Sequence, residues 1–181
     1  MERIIITTPR LTLQSITPSY IRYLFSGFSK PEIRKVLGIP EELYLKYEQM
    51  NARGMETNKI TFLYFSILLD GEPIGECGFH TWHTTHDRAE IFYSIHQENH
   101  KRKGYISEII PLVLRYGFEA MRLNRIEAFI APWNKISYQV LKRQQFRYEG
   151  TARQHYLHNG VYEDSEMYAL LRPEWEQGNR Q

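Results

Sequence analysis

The sequence predicts an α/β (α+β) fold, a mixed sheet flanked by packed helices. Strand-like alternation and helix-like periodicity take turns along the whole chain. Hairpin cues stand at Asp70-Gly71-Glu72-Pro73 and at His158-Asn159-Gly160. Between them, a short basic turn with one glycine joins a strand to a helix. Domains run about 100–200 residues, so residues 1–181 are expected to form a single domain.

The elements follow in order. Residues 10–16 alternate Leu11, Leu13 and Ile16 as an opening strand. Thr17-Pro18 supplies an N-cap and a proline suited to a first helical position. The helix should reach about Phe28, with Tyr20, Ile21, Leu24, Phe25 and Phe28 on one face. Residues 31–37 form a short second helix stopped by Gly38, and residues 40–55 a third. Residues 60–69 and 74–82 are hairpin strands, and the polar loop 83–87 leads to a strand over 89–96. A helix over about 106–121 follows, ended near Asn124, in which Pro111 predicts a kink or a later start. Residues 125–131 alternate as a strand, Asn134 caps a helix to about Gln145, and two strands close the chain.

Composition narrows the class. With 42% hydrophobic residues the chain can build a full core, and 14% aromatics, 13 of them tyrosine, suit half-buried strands. A formal charge of +2, with cations scattered among acids, does not describe a nucleic-acid protein. Cys77 is the sole cysteine, so no internal disulfide can form, which fits a reducing compartment. The first eight residues hold only a three-residue apolar run, and no run approaches the ~20 residues that cross a bilayer. A soluble, cytoplasmic chain without a membrane partner is expected.

The basic turn is Lys101-Arg102-Lys103-Gly104, opening onto Tyr105-Ile106-Ser107. Unpaired N–H groups at a helix start, and a dipole worth roughly half a charge, attract anions. Gly104 lets backbone approach a phosphate closely, and three cations add attraction. The turn is neither a Walker loop nor a dinucleotide fingerprint.

Longer phrases carry a resemblance. They are Thr8-Pro9-Arg10-Leu11-Thr12-Leu13, Pro73-Ile74-Gly75-Glu76-Cys77-Gly78-Phe79-His80 and Tyr116-Gly117-Phe118-Glu119. Asn124-Arg125-Ile126-Glu127-Ala128, Asn134-Lys135-Ile136-Ser137, Glu149-Gly150, His158-Asn159-Gly160 and Glu174-Trp175 follow in order. In this the chain resembles the GNAT superfamily of acyl-CoA-dependent N-acyltransferases, nearest its RimJ/RimL branch, which acetylates N-terminal amines of ribosomal proteins. The resemblance implies a mostly antiparallel central sheet, acetyl-CoA as co-substrate, an amine acceptor and no metal. It leaves a monomer and a homodimer both open.

It also implies roles for residues. Lys101 to Ser107 would hold the CoA pyrophosphate, although Lys101 replaces Gln or Arg and the branched Ile106 replaces a small residue. Ser94, Ile95 and His96, on a splayed strand, would pair with the pantetheine amides. Asn134 would sit beside the pantetheine arm. Many relatives place a tyrosine acid where Leu141 stands; in the RimJ/RimL branch a serine matching Ser137 stabilises the thiolate, with Tyr138 as a fallback. Glu90 matches a known base position and Glu76 is a second choice, while a branch glutamate is replaced by Tyr156. Asp164 matches an acidic position in the last strand, which leaves contact with the acceptor amine and a structural role both open.

Other residues carry less. His80, His83 and His86 lack a carboxylate or cysteine at standard zinc spacing, so His80 reads as a pocket rim. Cys77 reads as a small half-buried strand residue. Three functions stay open: N-acetylation of a protein N-terminus, N-acetylation of a small amine such as a polyamine, amino acid or aminoglycoside, and a CoA-binding module without catalysis.

Overall fold

The computed structural model describes residues 3–178. Its strands are β1 (Ile5–Thr7), β2 (Leu11–Ile16), β3 (Ile60–Leu69), β4 (Glu72–His83), β5 (Arg88–Ile95), β6 (Arg125–Ile130), β7 (Arg147–His158) and β8 (Val161–Leu171). They form one sheet in the order β1-β2-β3-β4-β5-β6-β8-β7. Every neighbouring pair is antiparallel except β5 with β6. The helices are α1 (Pro18–Gly27), α2 (Lys30–Leu37), α3 (Glu41–Arg53), α4 (Tyr105–Glu119), α5 (Lys135–Arg143) and α6 (Arg172–Gly178). None of the described helices is long and apolar enough to cross a membrane.

The sheet separates two cores. On one face Leu13, Phe65, Ile67, Phe79 and Ile91 pack with Ile109, Val113 and Phe118 of α4. On the other, Ile16 and Phe62 pack with Ile21 and Leu24 of α1, Ile33 of α2 and Tyr47 of α3. Strands covered on both faces need apolar residues at successive positions, which is why β3 reads as an almost unbroken Ile, Phe, Tyr and Leu run. Cys77 lies in the first core with no exposed surface, not half-buried, and burial pushes its thiol pKa upward.

Local chemistry sets the boundaries. The Thr17 hydroxyl accepts the Tyr20 N–H, and Pro18 opens α1. Gly38 ends α2 at φ 63°, and a Cβ there would meet Pro73 at 2.5 Å. α4 starts at Tyr105, earlier than the sequence suggests, and runs through Pro111. Pro111 and Ser107, whose carbonyl it frees, are both exposed, so water can satisfy that carbonyl. The short β1, a helical turn over Glu98–His100 and α6 have no counterpart in the sequence reading.

Packing of α4 on the sheet is tightest at Gly117. A Cβ there would stand 2.7 Å from Phe79 Cζ and 3.1 Å from Ile126 Cδ1, and both residues are fully buried. Gly117→Ala should therefore lower the melting temperature by several degrees. Overpacking costs about 1–3 kcal/mol, more than the roughly 1 kcal/mol of helix propensity that alanine returns. A thermal melt equal to or above the parent's would show that the interface has slack.

Candidate active site

The parallel pair β5 and β6 holds together for three residue pairs only, ending at Glu90 opposite Glu127. Beyond them β5 continues to Ile95 and β6 to Ile130 with no ladder between. A sheet that opens this way leaves strand N–H and C=O groups free for another molecule. Ser94 and Ile95 lie on the freed stretch, Ser94 exposed and Ile95 buried. His96 closes it, with its N–H donating to Ile74 O at 2.9 Å and its Nδ1 lying 3.0 Å from Gly38 O.

A cavity of about 250 Å³ fills the divergence. Its walls are residues 90–93 of β5 and 128–130 of β6, with His80 and Ser137 closing it. The structure thus brings together Glu90 and Ser137, which lie 47 residues apart in the chain.

Glu90 is half-buried, and its pKa is raised from 4.5 to about 7. Loss of solvation is the first cause and the neighbouring Glu127 charge the second. Glu127 itself is clamped, by Arg88 at 2.9 Å and Arg125 at 2.7 Å. The other neighbour of Glu90 is His80, whose Nδ1 lies 3.6 Å from Oε2. Burial lowers the His80 pKa, so the ring is neutral near pH 7 and leaves Glu90 without a cationic partner there.

Ser137 occupies the first turn of α5, where Asn134 Oδ1 accepts its backbone N–H at 3.1 Å. Across the cavity, the Tyr93 hydroxyl is buried without a hydrogen bond of full geometry among the described residues. Burial raises its pKa, and the Ser137 hydroxyl facing it opposes that rise. In the sequence Tyr93 stands among several core or sheet tyrosines, one or two of which could line the acceptor pocket, with no mark that selects it.

At the far end of β5 the basic turn folds as expected. Gly104 takes φ 79° as the N-cap of α4 and offers no side-chain cap, so the helix's first N–H groups face the turn. Lys101, Arg102 and Lys103 are exposed, Lys101 beside Glu98. Ser107 is exposed, Tyr105 has its ring in the core, and Ile106 packs against that core. Arg10 holds the turn in place: its Nη1 donates to Lys103 O at 3.1 Å, its Nη2 meets Glu108 at 2.6 Å, and its guanidinium covers the Tyr105 ring at 4.7 Å.

Several other candidates fall elsewhere. Glu76 is buried and receives the Tyr47 hydroxyl at 2.9 Å, so it is sealed from the cavity. Asp164 Oδ1 accepts the Gln154 N–H at 2.7 Å inside a bulge of β7, a structural contact. Tyr138 packs on Tyr168 at 6.2 Å, and Leu141 is buried. His80 lines the cavity while the His83 and His86 rings pair at 6.1 Å, so the three do not converge. A second cavity, bordered by Arg115, Arg143 and Trp175, does not reach the open strand ends and has no such convergence of groups.

A sheet opened between parallel strands, a helix start facing a basic turn, and a carboxyl and hydroxyls in one cavity make up the candidate site. The chain belongs to the GNAT acetyltransferase family, whose domain matches residues 10–147. It is 33% identical over 174 residues to the uncharacterized N-acetyltransferase YoaA of Bacillus subtilis (strain 168), covering 93% of this chain and 97% of that one. It is 35% identical over 86 residues to the [ribosomal protein uS5]-alanine N-acetyltransferase of Escherichia coli (strain K12), covering 48% and 44%. The fold is similar to the spermidine/spermine N-acetyltransferase SpeG from Vibrio cholerae, with TM-score 0.71 at 19% identity over 95% of this chain and 99% of that one.

Proposed function

We propose that this acetyltransferase moves the acetyl group of acetyl-CoA directly to a primary amine in a ternary complex, and that the amine is the α-amine of a protein N-terminus. The observation that carries this reading is the single cavity holding Glu90, Ser137 and Tyr93 where β5 and β6 part. The exposed Lys101, Arg102 and Lys103, with the N–H groups of Gly104, Tyr105, Ile106 and Ser107, would hold the pyrophosphate. The open edge at Ser94, Ile95 and His96, with Asn134, would hold the pantetheine arm.

The chemistry follows from the pKa values. An α-amine has a pKa of about 8 and a lysine about 10.4, so a carboxylate near 7 is matched to the former. The amine reacts in its neutral form: the nitrogen attacks the thioester carbon, Glu90 takes the proton it gives up, and the C–N bond forms as the C–S bond breaks. Ser137 donates a hydrogen bond to the departing thiolate, and the Tyr93 hydroxyl supports it. Among the described residues Glu90 is the one carboxylate lining the cavity, which favours a peptide terminus over a polycation buried at several points.

Thermal unfolding with acetyl-CoA, CoA and ATP in parallel tests the donor. A ligand at 100 times its Kd adds about 2.7 kcal/mol, a rise of several degrees for a chain of this size. Acetyl-CoA and CoA should both produce it and ATP should not. No shift with either thiol ligand would overturn donor binding at the basic turn.

A further inference from the structure

Beyond the end of the cavity stands a group with no role in acetyl transfer. Trp133 Nε1 donates to Glu163 Oε2 at 2.9 Å, and the Tyr156 hydroxyl donates to the same oxygen at 2.8 Å. The His158 ring lies 6.4 Å from Trp133 and 6.3 Å from Tyr156. Trp133 is nevertheless 63% exposed. Both donors hold the rings in fixed positions around one carboxylate, whose remaining lone pairs are open.

Position ties this cluster to the acceptor. Along β8 the register places Ala169 opposite Glu127 and Met167 opposite Phe129, and Glu127 lies opposite Glu90. Alternate residues share a face, so Glu163 belongs to the Glu90 side of the sheet. Ile130, the last β6 residue lining the cavity, faces Glu166, and Glu163 lies three residues further on, roughly 10 Å. Charge points the same way. Two other glutamates of this part of the sheet are neutralised by arginine, Glu127 by Arg88 and Arg125, and Glu149 by Arg125. Among the described residues no lysine or arginine pairs with Glu163.

We infer that Trp133, Tyr156 and Glu163, flanked by His158, form an acceptor subsite for a second positive charge, about 10 Å beyond the Ile130 end of the cavity in which the amine is acetylated. An organic cation there gains a carboxylate at one side and aromatic faces at the others. A basic side chain two or three residues into a peptide, or the far ammonium of a long polyamine, offers that chemistry at that reach. The inference rests on the acceptor entering on the Glu90 side, as proposed above.

The test compares two peptide amides, Ala-Gly-Arg-Gly-Gly and Ala-Gly-Gln-Gly-Gly, with spermine as a third acceptor. Glu163→Gln keeps an oxygen that accepts both hydrogen bonds but removes the charge. It should lower the ratio of kcat/KM for the arginine peptide over the glutamine peptide about tenfold, through KM. Trp133→Phe should lower the same ratio, less steeply. A spermine KM that rises while the peptide ratio holds would keep the subsite and make its occupant a small polycation. If both the ratio and the spermine KM stay at their parent values, the subsite is overturned. Tryptophan fluorescence, with Trp133→Phe as the control, is read without turnover. Quenching by the arginine peptide or spermine that Glu163→Gln abolishes would uphold the subsite even if neither is acetylated. Equal quenching in parent and Glu163→Gln would remove it while leaving acetyl transfer intact.

Discussion

Glu90→Gln will lower kcat/KM for the amine by about 10²–10⁴-fold at pH 7.5, the range that a positioned base contributes. It will also change the shape of the pH profile. In the parent enzyme, activity on the acid side should fall with two ionisations, Glu90 near 7 and the α-amine near 8. In the variant only the amine's ionisation remains, so the limb becomes shallower. Stability gives an independent check. Folding raises this carboxyl from 4.5 to about 7, so the folded chain holds the proton more tightly than the unfolded one. The stability it contributes is fully present below pH 4.5 and is lost as pH rises through about 7. Glu90→Gln should flatten the melting temperature over that window. An unchanged two-ionisation profile in the variant would assign the base elsewhere.

Ser137→Ala should reduce kcat by about 10²-fold, the loss typical of one donor to a developing negative charge, with acetyl-CoA binding little changed. Alanine keeps the backbone N–H on Asn134 Oδ1, the contact through which residue 137 helps cap α5. The melting temperature should therefore stay close to that of the parent. Single-turnover kinetics with acetyl-CoA bound would separate the chemical step from donor binding. A chemical step as fast as the parent's would take Ser137 out of the mechanism and leave Tyr93 as the neighbouring hydroxyl to examine.

Much of this arrangement was legible in the sequence, for local reasons. Thr17-Pro18, Gly38, Asn134 and the two turns are short-range signals, and each ends or starts an element within a residue or two of its expected place. Gly104 falls on the left-handed position that only its lack of a Cβ makes inexpensive. What escaped was whatever depends on partners far along the chain. β1 is three residues long and exists because it pairs with β2. The charge of Arg10 gave no hint that it would clamp Lys103 and Glu108, about a hundred residues away.

Sequence alone determined the order of elements, the helix caps, the basic turn before α4 and the resemblance that pointed to Glu90 and Ser137. Those follow from backbone preference and from motifs read along the chain. Only the tertiary structure decided which carboxylate could act. Glu76 and Glu90 both lie on adjacent strands, yet one is closed behind Tyr47 and the other faces a cavity. Solvent access and nearby charge set a carboxyl's pKa, and both arise from packing across strands. The divergence of β5 from β6, which brings Glu90, Tyr93 and Ser137 together, is a property of the sheet and of no single segment.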